Sequence, residues 1–215
     1  MLQEIITAID IGSKKLSATI GVKNKSNELE ILLTKSCKSV GIEKGTIVDI
    51  NKCREAIEKL LKELEETTER NIKNVTVGIS SRKIRITEIT VKVDVKDGKI
   101  TQESLMEGLD KAKREFLLSE EEIIIDEIIN FYIINNQVVY KDIINWKADS
   151  FEMNLTLVIG NKSEIDKYNE ILKNTKYKID SIKSNIITGR QIFLSENKYD
   201  GEYALVDVGA GVVDI

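Results

Sequence analysis

The stretch Ala8–Gly21, AIDIGSKKLSATIG, ends an apolar run in a single carboxylate, Asp10, and follows it with Gly12, Ser13, Lys14 and Lys15. Beyond the basic pair, Leu16, Ala18, Ile20 and Val22 return at every second position, with Ser17, Thr19 and Gly21 between them. Period two marks a half-buried strand, so the stretch reads as two antiparallel strands joined by a tight tip. The first strand covers residues 4–10. A turn over KNKSNE (23–28) leads to a third strand, LEILLTKS (29–36).

Period changes after that. Cys53, Ala56, Ile57, Leu60, Leu61 and Leu64 fall on one face of a helix, with charges opposite. Asp49 or Asn51 is placed to cap its first turn. NVTVGIS (74–80) returns as a strand, and a sheet with a helix on one face buries both.

From residue 83 the texture differs. KIRITEITVKVDV (83–95) is a long alternating strand ending at the Asp97–Gly98 turn. Thr101 then caps a helix striped by Leu105, Met106, Leu109, Ala112 and Phe116. Two more β sections follow: EIIIDEIINFYIINNQVVY (122–140), turning at Asn135–Asn136, and SFEMNLTLVIG (150–160), with Met153, Leu155, Leu157 and Ile159 alternating. A helix on about three strands over 83–160 is a self-contained α+β unit, read as an insertion because strand–helix alternation then resumes. Ser163 opens a helix carrying Ile165, Tyr168, Ile171 and Leu172, and YKIDSI (177–182) is a strand. Another helix runs through Ile186, Ile187 and Phe193.

Composition narrows the chemistry. The 215 residues carry 32 basic and 36 acidic side chains, for a net charge of −4, which gives no basic face for nucleic acid; Arg82, Lys83 and Arg85 read as one solvated strand edge. No apolar run approaches the roughly 20 residues of a membrane span, and the opening strand leaves no signal peptide to expect. Histidine is absent, which removes His-based triads and His-ligated metals. The two cysteines, Cys37 and Cys53, read as free thiols of a reducing cytoplasm.

The closing stretch repeats the opening device. ITAIDIGSKK and YALVDVGAGV each run apolar residues into Asp, an aliphatic residue and Gly. Asp-x-Gly at a strand end is by itself a common tight turn. Two such tips facing each other also make a clamp, since glycine lets backbone amides approach a phosphate. Asp10 and Asp207 suit Mg²⁺, held through waters. Gly12, Ser13, Lys14, Lys15, Gly209, Ala210 and Gly211 would surround the phosphates. GxxxxGK is absent, and Gly209-Ala210-Gly211 is a bare GxG without a following helix.

These residues resemble the actin, Hsp70 and sugar-kinase superfamily, and more narrowly the N-terminal half of FtsA, the actin-like bacterial cell-division family. SVGIEKGTIVDI (39–50) is similar to a glycine-lysine-glycine segment of that family. VTVGIS (75–80) with DGKITQESL (97–105) resembles the entry to its inserted subdomain, and KIDSIKSNIITGRQIFL (178–194) resembles its connecting helix. The resemblance implies an α/β fold: an actin-like (ribonuclease-H-like) mixed sheet with helices, interrupted by an SHS2-like α+β insertion. Residues 1–82 and 161–215 would form subdomain 1A, and 83–160 the insertion.

It further implies ATP with Mg²⁺ as cofactor, with Asp10, Gly12, Ser13, Lys14, Lys15, Asp207, Gly209, Ala210 and Gly211 at the nucleotide. It implies FtsZ and other division proteins as partners, self-association into filaments, and a cytoplasmic protein at the division-site membrane when full length. Three departures bear on turnover. Ala210 stands for a glycine, Val212 for a threonine, and no Glu or Gln opens the connecting helix, where Asn185 and Thr188 are the nearest polar groups. The expected activity is at most a weak ATPase for the full-length protein, and none for this chain alone. Ending inside the second hairpin at Ile215, the sequence is expected to lack the half that holds the adenosine pocket and a membrane helix. A PilM-like pilus-assembly relative, a nucleotide-free scaffold and a ribonuclease-H-like metal nuclease are the alternatives.

Overall fold

The computed structural model describes residues 4–25, 28–196 and 204–215. Ser26 and Asn27, in the expected first turn, and Tyr203, ahead of the second tip, lie outside them. The chain opens with strands β1 (Glu4–Ile11), β2 (Lys15–Lys23) and β3 (Leu29–Lys38), then the short β4 (Ile42–Glu43) and β5 (Thr46–Ile47). Helix α1 (Ile50–Thr68) and β6 (Asn74–Ile79) follow. Next come β7 (Arg85–Asp94), α2 (Gln102–Glu115), β8 (Glu122–Ile134), β9 (Gln137–Val139) and β10 (Ser150–Asn161). The chain closes with α3 (Lys162–Leu172), β11 (Lys178–Ser184), α4 (Asn185–Glu196), β12 (Asp207–Val208) and β13 (Val213–Asp214). They form two compact units, Met1–Ile84 with Ser163–Ile215, and Arg85–Lys162.

The first unit is built on a five-stranded mixed sheet in the order β11-β6-β1-β2-β3. β1, β2 and β3 pair antiparallel, while β6 runs parallel to β1 and β11 parallel to β6. Ile9, Leu16, Ala18, Ile20, Val75 and Val77 are buried on the sheet. Cys53, Ile57, Leu60, Leu61 and Leu64 form the buried stripe of α1. Each such aliphatic side chain contributes about 1.5–3 kcal/mol by leaving water, which is what fixes the strand register. Of the two candidate caps, Asp49 is the one used: its Oδ1 accepts the amide of Lys52 at 3.0 Å. Arg54 then ties α1 to the end of α3. Its guanidinium donates to the carbonyls of Glu170 at 2.6 Å and Ile171 at 2.7 Å, groups that a helix C-terminus leaves unpaired.

The second unit is an antiparallel sheet in the order β7-β10-β8-β9, with α2 against it. Thr101 caps α2 in a reciprocal box with Ser104, and both expected turns adopt left-handed geometry, at Asp97–Gly98 and Asn135–Asn136. Two expectations are corrected here. Met106 is 57% exposed instead of buried in the stripe. Gly108 faces the sheet, where an added Cβ would meet Met153 Cε at 2.9 Å and Val93 Cγ2 at 3.1 Å, and Met106, two residues away on the helix, is turned to the other side. β10 is buried from Met153 to Gly160 on both faces, so its alternation does not divide core from solvent. Arg85 and Lys83 are also paired, with Glu122 at 2.7 Å and Glu164 at 3.2 Å.

Candidate functional site

The two tips share one backbone solution. Gly12 donates its amide to the carbonyl of Lys15 at 3.2 Å, and Gly209 donates its own to the carbonyl of Val212 at 2.9 Å. A Cβ on either glycine would stand 2.9 Å from that same carbonyl oxygen. Glycine is therefore demanded by the tip's own closure, and neither position has a positive φ. The expected strand before Asp207 is not formed at residues 204–206, because β12 pairs only with β13 among the described residues.

Asp10, Gly12, Ser13, Lys14, Lys15, Asp207, Gly209, Ala210 and Gly211 all line one cleft of ≈ 350 Å³. Both carboxylates and both lysines are exposed. Asp10 stands at the end of the middle strand, beside Ser17 on β2 and Gly78 on β6. The cleft thus gathers two acids and two bases, a set suited to a polyanion accompanied by a cation.

The β4–β5 hairpin holds the tips in place. Lys44 and Gly45 have φ of 49° and 77°, which allows the two-residue turn between such short strands. Gly45 donates its amide to Ser13 Oγ at 2.8 Å. A Cβ on Gly45 would meet Val212 Cγ2 at 2.5 Å, and one on Gly211 would meet Ser13 Oγ at 2.5 Å. Val212 is buried and its branched side chain packs on Gly45, at the position where the resembled family carries a threonine. Below, Tyr168 on α3 donates its hydroxyl to the Gly45 carbonyl at 3.4 Å. Burial, helped by Glu164 and Cys53, raises the Tyr168 pKa, keeping it a donor.

No protein-family model matches the chain. Its similarity to known sequences is nevertheless continuous. Cell division protein FtsA of Neisseria meningitidis serogroup B is 24% identical over 213 residues, which is 99% of this chain and 51% of that protein. FtsA of Pseudomonas aeruginosa is 21% identical over 212 residues, again 99% of this chain and 51% of the relative. The chain resembles FtsA from end to end. It spans about half the length of these curated relatives. Among solved structures, a chain of the PilM–PilN type IV pilus biogenesis complex superposes with a TM-score of 0.53 at 12% identity, over 89% of this chain and 50% of that one. That likeness shows the fold, a mixed sheet with helices.

This FtsA-like chain brings three more residues into the cleft than the motifs identify: Gly45, Ser80 and Asn185. Gly45 had a signal in the quoted segment at 39–50, and Asn185 had one as the nearest polar group on the connecting helix. Ser80 had none. Asn185 Nδ2 donates to Asp10 Oδ1 at 2.9 Å and to Ser80 Oγ at 3.3 Å. Thr188 turns away from this network and donates to the carbonyl of Ser184 at 3.1 Å.

Proposed function

We propose that the full-length protein is an ATP-dependent, polymerising adaptor of bacterial cell division that tethers FtsZ filaments to the membrane. The observation that carries this reading is the convergence of both Asp-x-Gly tips on one cleft, in a chain similar to FtsA throughout.

The residues present fit a Mg²⁺-nucleotide. Asp10 and Asp207 would hold the cation through its waters, since Mg²⁺ keeps several of them and bridges phosphates. Lys14, Lys15, Ser13 and the backbone at Ala210 and Gly211 would take the phosphates, while Gly12 and Gly209 keep the tips closed. Asn185 carries an amide, which accepts no proton from an attacking water at neutral pH, so turnover is weak at most. Bound ATP then acts on conformation and assembly.

The unit Arg85–Lys162 would be an SHS2-like insertion offering a docking surface to protomers or other division proteins, with the rest of the chain as subdomain 1A. The protein would work in the cytoplasm at the division site. No helix among the described residues is long and apolar enough to cross a membrane; the resemblance to FtsA assigns the anchor to a membrane helix in the other half of the full-length protein. A PilM-like adaptor is the second reading, supported by the likeness of fold.

Recruitment of purified FtsZ filaments to lipid vesicles by the full-length protein tests the adaptor. ATP-dependent recruitment is expected, and its absence with well-folded protein would favour the second reading.

A further inference from the structure

Asn185, the first residue of α4, is where that helix reaches the first tip. Its NH₂ group is fully used, one hydrogen on Asp10 Oδ1 at 2.9 Å and one towards Ser80 Oγ at 3.3 Å. Its Oδ1 occupies the place where a β-carbon on Gly78 would stand. Gly78 is the register partner of Asp10 across β1 and β6, so the missing side chain there opens the space that Asn185 fills. The reverse amide orientation would set an oxygen against an ionised carboxylate, so the donor orientation is enforced. Asp10 Oδ2 has no hydrogen-bond partner among the described residues.

We infer that Asn185 is a positioning residue for Asp10. It holds an otherwise exposed carboxylate in one rotamer, with Oδ1 occupied and Oδ2 left for the hydrated cation of a bound nucleotide. The inference rests on the phosphate-clamp reading above. An acid at 185 could not do the same, because two carboxylates at this distance cannot both ionise freely. Groups that orient a carboxylate or other ligand typically change metal affinity by about 10–100-fold when removed.

The test is ATP affinity with and without Mg²⁺, on the full-length protein, for wild type, N185A, D10N and the double variant. N185A is expected to weaken Mg²⁺-ATP binding roughly tenfold, to weaken Mg²⁺-free binding far less, and to add nothing in the D10N background. G78A, which pushes Asn185 aside without altering Asp10, should match N185A and covers the case in which N185A misfolds. Equal losses with and without Mg²⁺, an additive double variant, or a G78A protein that binds like wild type overturns the positioning role while leaving the clamp intact. A folded wild type that binds no Mg²⁺-ATP overturns the clamp itself, and the positioning role with it.

Discussion

Ser13 Oγ accepts the amide of Gly45 at 2.8 Å, joining the first tip to a hairpin 32 residues further along. Gly211 and Val212 of the second tip close on the same pair of residues. One hydroxyl and two glycines therefore couple three loops, and the cleft exists because all three are held together.

Gly45→Ala should break this junction. The residue has φ of 77°, and its Cβ would collide with Val212 Cγ2 and the Ser80 carbonyl. Left-handed strain alone costs roughly 1–2 kcal/mol, so a loss of about 2 kcal/mol or more is expected. Ser13→Ala, which leaves the Gly45 amide without its acceptor, should cost about 1 kcal/mol. Urea midpoints at constant slope measure both, and a G45A protein as stable as wild type would contradict the junction.

Glu122 gives the second unit an acid-sensitive contact. The Arg85 side chain first, and then the Ser119 amide, lower its pKa from an ordinary 4.5 to about 2. A folded-state pKa below the unfolded one means that the contribution is whole above about pH 4.5 and is lost as pH falls through about 2. Carboxyl NMR titration should find this midpoint near 2, moving up towards 4.5 in Arg85→Ala. A wild-type midpoint near 4.5 would show that the pair is not formed in solution.

The two thiols should differ in reactivity. Cys53 is fully buried on the inner face of α1, and burial, with Asp49 and Cys37 nearby, pushes its pKa up to about 12. Cys37 is half-buried, and burial followed by Glu63 raises it as well. Thiolate is the reactive form. Native protein at pH 8 should alkylate slowly at Cys37 and not at Cys53, and unfolding should make the two equal. Fast native labelling of both would contradict the packing of α1.

Much of this was legible in the sequence wherever a side-chain period repeats. Leu16 to Val22 identified β2 by alternation, and the stripe from Cys53 to Leu64 identified α1. The Asp-x-Gly motifs at Asp10 and Asp207 placed nine residues that do line one cleft. What stayed hidden depends on tertiary contact. β4 and β5 are two residues each, too short for any period, and exist through the turn at Lys44–Gly45 and the grip of Ser13 and Tyr168. Ser80 enters the site only because β6 lies beside β1. Met106 shares the helical period of α2, but it is Gly108 that faces the sheet.

Calorimetric titration of Mg²⁺-ATP into the full-length protein and its Asp207→Asn variant tests the central claim, that the two tips form one phosphate clamp. Micromolar binding by wild type, lost in the variant, is predicted. Absence of binding in both proteins, or equal binding in both, would contradict it.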